Sequence, residues 1–589
     1  MISTANGKNF KVVSNGWLEY DGVQHNQIKI TALKNISNVE LRFTLPAKFA
    51  KYLHTSAIGW SNKITRALAP GKFEFKYFPV VFIGNEEKGF CFFAESDRSW
   101  NSSSKPMIII KNANEAVFTI KIARNIKAGK TVEFDCGLLG TPVKPQHKRY
   151  PLNTASWAWN TQMNRPGKTP TSWCSYMNHL GTLADAFADV PGVDNDTLIK
   201  DQQKAVALLK ANNVKPFNYN PFYVSDEHPE MRAFGVEWES VPRQVWTGQR
   251  KNKTHTLYLL CPASKGADFF LWRVKEYLKK VKVNGINFDF GIVPSCDNNH
   301  HGCFTRTPLI AYRNFYRKLA LILLDSGADD YIIHVHNTSS VQLPSYTFVT
   351  HVMNGEHIRQ QSSRLMHNGK DILDTYPLAM FASELSSLPF GINNAVYQSN
   401  DVLTKQYGGG KEDPELYKLR ITRAFLSGTL LHNTINALNR CHHGIFDKIV
   451  RIYDKFNVPE AEFIGYWDER KAAQVTQGKD VLVSFYRHKK DNRLLAVISH
   501  IGNTRRNQDV TVKFNPSVLK MKNFKSAAEL LEGPDPEYQE LYALKKKANL
   551  PTVRIQLKWQ NPGIKLQSFK NNTLQLHLPA HSFALVEIK

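Results

Sequence analysis

Gly285-Ile-Asn-Phe-Asp-Phe-Gly291 reads as a short strand that ends in an acid. Ile286, Phe288 and Phe290 alternate with other side chains at the period of a β-strand. One carboxylate, Asp289, stands near the C-terminal end of that strand. The segment before it, 267–280, is amphipathic and ends in basic residues, as a helix does when its last turn complements the backbone dipole. The segment after it, 292–306, is a polar loop with Pro, Cys, Asn and His. A helix, a strand ending in an acid and a loop of ligand-binding side chains form the repeat by which a (β/α)8 barrel presents a carboxylate at the C-terminal mouth of its strands.

Working outward, the pattern of short strands alternating with helices extends over 149–465. Strands are predicted at 154–159, 215–219, 256–260, 285–289, 331–336, 348–353, 378–382 and 428–432, and helices at 201–212, 268–280, 309–325 and 413–425. Eight units of this kind imply a parallel sheet closed into a barrel. On either side the period is two. Gln27-Ile-Lys-Ile-Thr-Ala32 and Ala116-Val-Phe-Thr-Ile-Lys-Ile-Ala123 in the first region, and Val510-Thr-Val-Lys-Phe514 in the last, are short alternating runs separated by turn residues. The expected fold is therefore multidomain: an N-terminal β-sandwich over 1–148, a central (β/α)8 TIM-like barrel over 149–465 and a C-terminal β-sandwich over 466–589.

Composition narrows the function classes. The chain has 589 residues, 42% hydrophobic and 22% charged, the balance of a folded globular protein. No apolar run reaches membrane-spanning length, so no membrane span is expected. The net charge of +25 suggests nucleic acid as a partner. The lysines are scattered through every region, however, and no dense basic run with interleaved aromatics occurs, so no nucleic-acid partner is expected. A basic surface suits an anionic polysaccharide equally well. The first residues, Met1-Ile-Ser-Thr-Ala-Asn-Gly7, carry no signal pattern; the expectation is a periplasmic or secreted protein whose signal has been removed.

The predicted strand ends gather acids, imidazoles and amides: Asp289 after strand four, His334, His336 and Asn337 after strand five, Glu356 and His357 after strand six, Glu384 after strand seven and His432 after strand eight. Strand one contributes Trp157, Trp159 and Asn160. Such a rim suits a sugar, because indole faces cover the apolar faces of a pyranose while amides and imidazoles bind hydroxyls. The same tryptophans are also compatible with core packing. Cleavage of a glycosidic bond usually needs two carboxyls, one ionised and one protonated. Asp289 as nucleophile and Glu356 as acid/base lie two strands apart, and alternate barrel strands feed one interior layer. Glu384 is the natural substitute acid.

A rival pair is Asp226-Glu227. Adjacent Asp and Glu serve when a substrate acetamido group is the nucleophile, with Glu donating the proton; the same residues in Asp226-Glu227-His228-Pro229 also read as a polar turn before a helix. The segment Cys296-Asp-Asn-Asn-His-His-Gly-Cys303 offers two thiols and two imidazoles. Because His300 and His301 are adjacent their side chains diverge, so a disulfide or plain thiols are expected in preference to zinc, with both histidines left to contact substrate. The chain's 7 cysteines form no CxxC pair, and no cofactor or metal is expected.

Together these segments resemble the glycoside hydrolase family 123-like proteins of bacterial polysaccharide degradation. The resemblance rests on 81–98 (Val-Phe-Ile-Gly-Asn-Glu-Glu-Lys-Gly-Phe through Glu-Ser-Asp-Arg), Cys261-Pro-Ala-Ser264, Phe288-Asp289 with the following Cys296 and His301-Gly-Cys303, Gly355-Glu356 and Phe381-Ala-Ser-Glu384. It implies a β-sandwich, a catalytic barrel and a C-terminal β-domain acting on carbohydrate. Family 123 enzymes are similar to substrate-assisted N-acetylgalactosaminidases, whose adjacent Asp-Glu pair here falls at Asp226-Glu227, before the strand and not on it. Barrel α-galactosidases, with acids after strands four and six, are similar in the placement of Asp289 and Glu356. The resulting expectation is a retaining exo-glycosidase on galactose-type residues. The alternatives are a substrate-assisted N-acetylhexosaminidase and a non-catalytic glycan-binding protein of the same fold.

Overall fold

The computed structural model describes residues 1–589 apart from 57–62, 101–102, 147–153, 157–175, 181–195, 212–214, 251–252, 290, 292–294, 305, 338–339, 356–372, 374–375, 398–422, 433–435, 439–444, 503–505 and 534–562. Eight strands paired in parallel close into a barrel: Thr154–Ser156, Tyr176–Leu180, Lys215–Pro221, Gly285–Asp289, Ile332–His336, His351–Asn354, Asn393–Tyr397 and Asn436–Leu438. Strand four is built as its sequence suggests. Phe288 faces outward, with ring centroids 6.0 Å from Phe270 on helix Lys265–Lys280 and 5.6 and 5.9 Å from Phe315 and Tyr316 on helix Leu309–Asp325. Its neighbours Asn287 and Asp289 face inward to histidines of strand five. Gly285 opens the strand where the backbones crowd: a Cβ there would overlap the carbonyl oxygen of Ile332.

Three of the predicted barrel strands are corrected. Segment 256–260 is extended but belongs to Lys253–Leu259, the central member of a three-stranded antiparallel sheet with Tyr223–Ser225 and Val245–Arg250. This sheet and helix Pro229–Trp238 are inserted between barrel strands three and four. Segment 378–382 is a helical turn running into a π-helical turn, Phe381–Leu385, and 428–432 is the end of a helix, 423–430, and the turn after it. Short apolar runs satisfy helix and strand periods alike, so periodicity alone does not separate the two. The barrel places there are filled by Tyr176–Leu180, Asn393–Tyr397 and Asn436–Leu438.

The described residues of the N-terminal region form two antiparallel sheets. The larger runs in the order Ile2–Asn6, Phe10–Leu18, Gln24–Ala32, Thr131–Thr141, Gly89–Phe93, Val80–Gly84, Tyr52–Thr55, Thr65–Ala67, and the smaller in the order Ile36–Pro46, Glu115–Ile126, Met107–Lys111, Gly71–Phe75. Strand Val80–Gly84 is apolar throughout because both its faces are buried. Val81 and Ile83 pack with Phe92, Phe118 and Ile120 between the two sheets. Val80 and Phe82 join the core that continues into the barrel, with the Phe82 and Phe390 rings 5.1 Å apart. Polar contacts add to this seam. Arg313, on helix Leu309–Asp325, is paired with Glu19 and lies 2.7 Å from Asp21, and Lys144 donates to the Thr347 and Val349 carbonyls at 3.1 and 2.6 Å.

The C-terminal region also has two antiparallel sheets. One is ordered Glu462–Ile464, Val481–His488, Arg493–His500, Phe583–Ile588, Ala527–Glu529; the other is ordered Ala473–Gln477, Gln508–Phe514, Thr573–Leu578, Lys565–Lys570. Phe485, Val497 and Leu585 of the first and Val512 and Leu576 of the second share one core. Among the described residues no helix is long and apolar enough to cross a membrane.

Candidate active site

The barrel interior near strands four to six is unusually polar. Parallel register sets Asn287 beside His334 and His334 beside His351, forming one layer of inward side chains. His334 Nδ1 lies 2.6 Å from Asn287 Oδ1, and its ring sits 5.8 Å from Phe217 and 6.2 Å from His351. Burial, with help from the neighbouring His336, pushes the His334 imidazole down to about 3, so it is neutral. It is a floor residue beneath the next layer.

That next layer carries Asp289. Its Oδ1 lies 2.6 Å from His336 Nδ1, with the Asp289 side chain 19% exposed and that of His336 7% exposed. A ring N–H donating to a carboxylate oxygen fixes the orientation of the carboxylate. The carboxylate therefore stands at the C-terminal end of a barrel strand, faces the interior and keeps a route to solvent. Tyr223, just past the end of strand three, completes the corner. Burial and then the Asp289 charge push its phenol up to about 12, so it stays protonated. Sequence reasoning missed Tyr223. The signal was available, because Pro221 is the strand-three residue in register with Asp289, so a side chain two positions on reaches the same mouth.

Other predicted site residues fall elsewhere. Trp157, Trp159, Asn160, Glu356 and His357 lie outside the described residues. Asn337 is fully buried, and its amide donates to the Ser340 carbonyl at 2.7 Å, closing its own loop. Glu384 is not at a strand end. It sits on the π-helical turn with its carboxylate taken by Lys63 and 3.3 Å from Thr65 Oγ1, both from the N-terminal region. His432 is not at a strand end either: it is buried and neutral, pushed down to about 3 by burial, and stacks on Trp467 with centroids 6.2 Å apart.

The rival pair lies in a turn before a helix. Asp226 Oδ1 accepts from the Thr256 backbone N–H at 3.3 Å, Glu227 is exposed, and Arg232 donates to both backbone carbonyls at 2.9 and 3.0 Å. These residues brace the inserted sheet ahead of helix Pro229–Trp238.

Of the two expected states of the cysteine loop, the structure has plain thiols: Cys296 and Cys303 are free, and His301 lies against Cys296. Cys261, which sequence spacing left apart, joins them: its Sγ is 3.6 Å from Cys303 Sγ, and Cys296 Sγ is 3.3 Å from His301 Nε2. Hydrogen bonds from Cys261 and Cys303 hold the Cys296 thiol far below the ordinary range, while the same contacts push Cys261 up. His300 is exposed on the adjoining turn.

One family model matches part of the chain, and several solved structures are similar to it. Residues 447–568 match the family model described as Glycoside hydrolase 123, C-terminal domain, which covers helix Ile445–Phe456 from its third residue and most of the C-terminal sheets. No curated protein matches the chain. Among solved structures, the galactosidase domain of an alpha-galactosidase-sucrose kinase, AgaSK, is similar at 10% identity, covering 99% of this chain and 82% of that one, with a TM-score of 0.47. A GH36 alpha-galactosidase, AgaA, from Geobacillus stearothermophilus in complex with 1-deoxygalactonojirimycin gives 8% identity, 96% and 81% coverage and a TM-score of 0.47. The alpha-galactosidase from Lactobacillus brevis gives 9%, 98%, 83% and 0.46.

Proposed function

We propose that the chain is a retaining exo-acting glycoside hydrolase for galactose-type residues of a glycan, with Asp289 as nucleophile and Glu356 as acid/base. The observation that carries this reading is the Asp289–His336 pair at the mouth of a closed parallel barrel. In the proposed reaction, Asp289 attacks the anomeric carbon as Glu356 protonates the departing oxygen. Glu356 then deprotonates the water that releases the sugar from Asp289. His336 holds the attacking carboxylate in place, and Tyr223 offers a protonated hydroxyl beside it. The barrel mouth is thus the functional face of a central domain, 149–465, between β-domains 1–148 and 466–589.

Assay on a panel of aryl glycosides and neutral or sulfated galactan oligomers tests the reading. Turnover of a galactoside that is lost in Asp289→Asn, and lowered about 10²–10⁴-fold in Glu356→Gln, supports it. Sugar binding without turnover in the wild type indicates a glycan-binding protein instead. A distance between the two carboxyl groups of about 5–5.5 Å fits retention, whereas about 6.5–9.5 Å requires inversion.

A further inference from the structure

We propose that Cys261, Cys296, His301 and Cys303 bind one structural zinc ion that fastens the loop after barrel strand four to the sheet inserted after strand three. The four donor atoms, three from the loop 296–303 and one from Cys261, 35 positions before it, all lie within 4.8 Å of one another. Two of the six spacings are known closely, and both are near the edges of a coordination tetrahedron. With Zn–S near 2.3 Å and Zn–N near 2.0–2.1 Å, the S···S and S···N edges are about 3.8 and about 3.6 Å. The observed edges are 3.6 Å from Cys261 to Cys303 and 3.3 Å from Cys296 to His301. A disulfide would need about 2.05 Å and would leave a third buried thiol unused.

The imidazole is set for the task. His301 Nδ1 faces the Glu237 carbonyl at 2.5 Å, which places the proton on Nδ1 and directs the Nε2 lone pair at the thiols. The surrounding backbone is fixed independently of any ion. Cys296 and Arg306 close the loop with reciprocal hydrogen bonds of 2.6 and 2.9 Å. Asn298, buried, accepts from the His300 N–H at 2.9 Å and donates to the Val236 and Glu239 carbonyls at 2.8 and 2.9 Å. Gly302 adopts φ 75°, the left-handed turn that lets His301 and Cys303 converge. Cys261 is anchored through its own N–H to the Trp238 carbonyl at 2.8 Å.

The chemistry selects the ion. Three thiolates and an imidazole are soft donors that favour zinc over magnesium or calcium. Four protein ligands leave no position for water or substrate, so the site is structural and not catalytic. Its place gives it a consequence: the segment that leaves Asp289 is pinned to the insert that carries Tyr223.

The direct test is metal analysis of the full chain purified under reducing conditions without chelator. One zinc per chain is expected, released in step with mercurial titration of the cysteines. Reloading the metal-free protein with cobalt should give the thiolate charge-transfer and tetrahedral ligand-field bands. Cys303→Ser should lose the zinc, whereas Cys136→Ser and Asp289→Asn should keep it, so the result stands apart from the catalytic assignment. Should Cys303→Ser fail to fold, the wild-type metal content and cobalt spectrum decide alone. Absence of zinc together with failure to take up zinc or cobalt, iron in its place, or a disulfide between any two of Cys261, Cys296 and Cys303 in the purified protein overturns the proposal.

Discussion

Replacing Glu95 by Gln should make the protein more stable at alkaline pH and leave it unchanged in acid. Glu95 follows strand Gly89–Phe93, and its Oε1 accepts the Ile310 N–H at 2.7 Å, capping helix Leu309–Asp325 from the neighbouring region. Burial pushes its carboxyl from 4.5 up to about 7, although the cap hydrogen bond and Arg306 pull the other way. A raised folded-state value means that the native protein holds the proton more tightly than the unfolded chain does. The stability gained from that proton is fully present below about 4.5 and is lost as pH rises to about 7. That change is about 3 kcal/mol at most, and about 2 kcal/mol after allowance for partial exposure of the side chain. Gln keeps the accepting oxygen and cannot ionise. Calorimetric unfolding of wild type and Glu95→Gln across pH should therefore give coincident midpoints near pH 4.5 and a variant higher by roughly 3 °C near pH 8. A difference that is constant with pH, or that favours the wild type at alkaline pH, contradicts a raised Glu95 carboxyl in the native protein.

Two further outcomes follow from the geometry. Arg313→Met should cost about 3–5 kcal/mol, because it strands the buried Asp21 carboxylate 2.7 Å away; pairing it with Asp21→Asn should recover part of that loss, read as unfolding midpoints of the three variants. Asp226→Asn and Glu227→Gln should retain glycosidase activity within about threefold of wild type, since Glu227 is exposed and Asp226 braces a turn; kcat/KM on the best aryl glycoside checks this, and a loss of about 10²-fold would restore the substrate-assisted reading.

Sequence legibility followed the periodicity of each segment. Gly285–Asp289 and Ile332–His336 were readable because apolar outward residues alternate with polar inward ones. Asn393–Tyr397 was not, because a strand opening Asn-Asn lacks the apolar run by which buried parallel strands are recognised. Lys253–Leu259 was seen as a strand but misplaced. Its alternation of exposed Thr254 with buried Leu257 and Leu259 is that of an antiparallel sheet with one wet face, a signal that argued against the barrel. Glu384 and His432 were assigned to the rim through strands that are helical, so the error in period carried the site residues with it. The thiol cluster was illegible for a different reason. Cys261 lies 35 positions before Cys296, and only folding of the insert against the strand-four loop brings it within 3.6 Å of Cys303.

In the proposed reaction the sugar becomes attached to Asp289. Incubation with a slow-turnover fluorinated galactosyl donor, followed by proteolysis and peptide mass mapping, tests it most directly. The expected result is a single glycosyl adduct on the peptide containing Asp289, absent from Asp289→Asn. An adduct on any other carboxylate, or undiminished turnover by Asp289→Asn, would contradict the account.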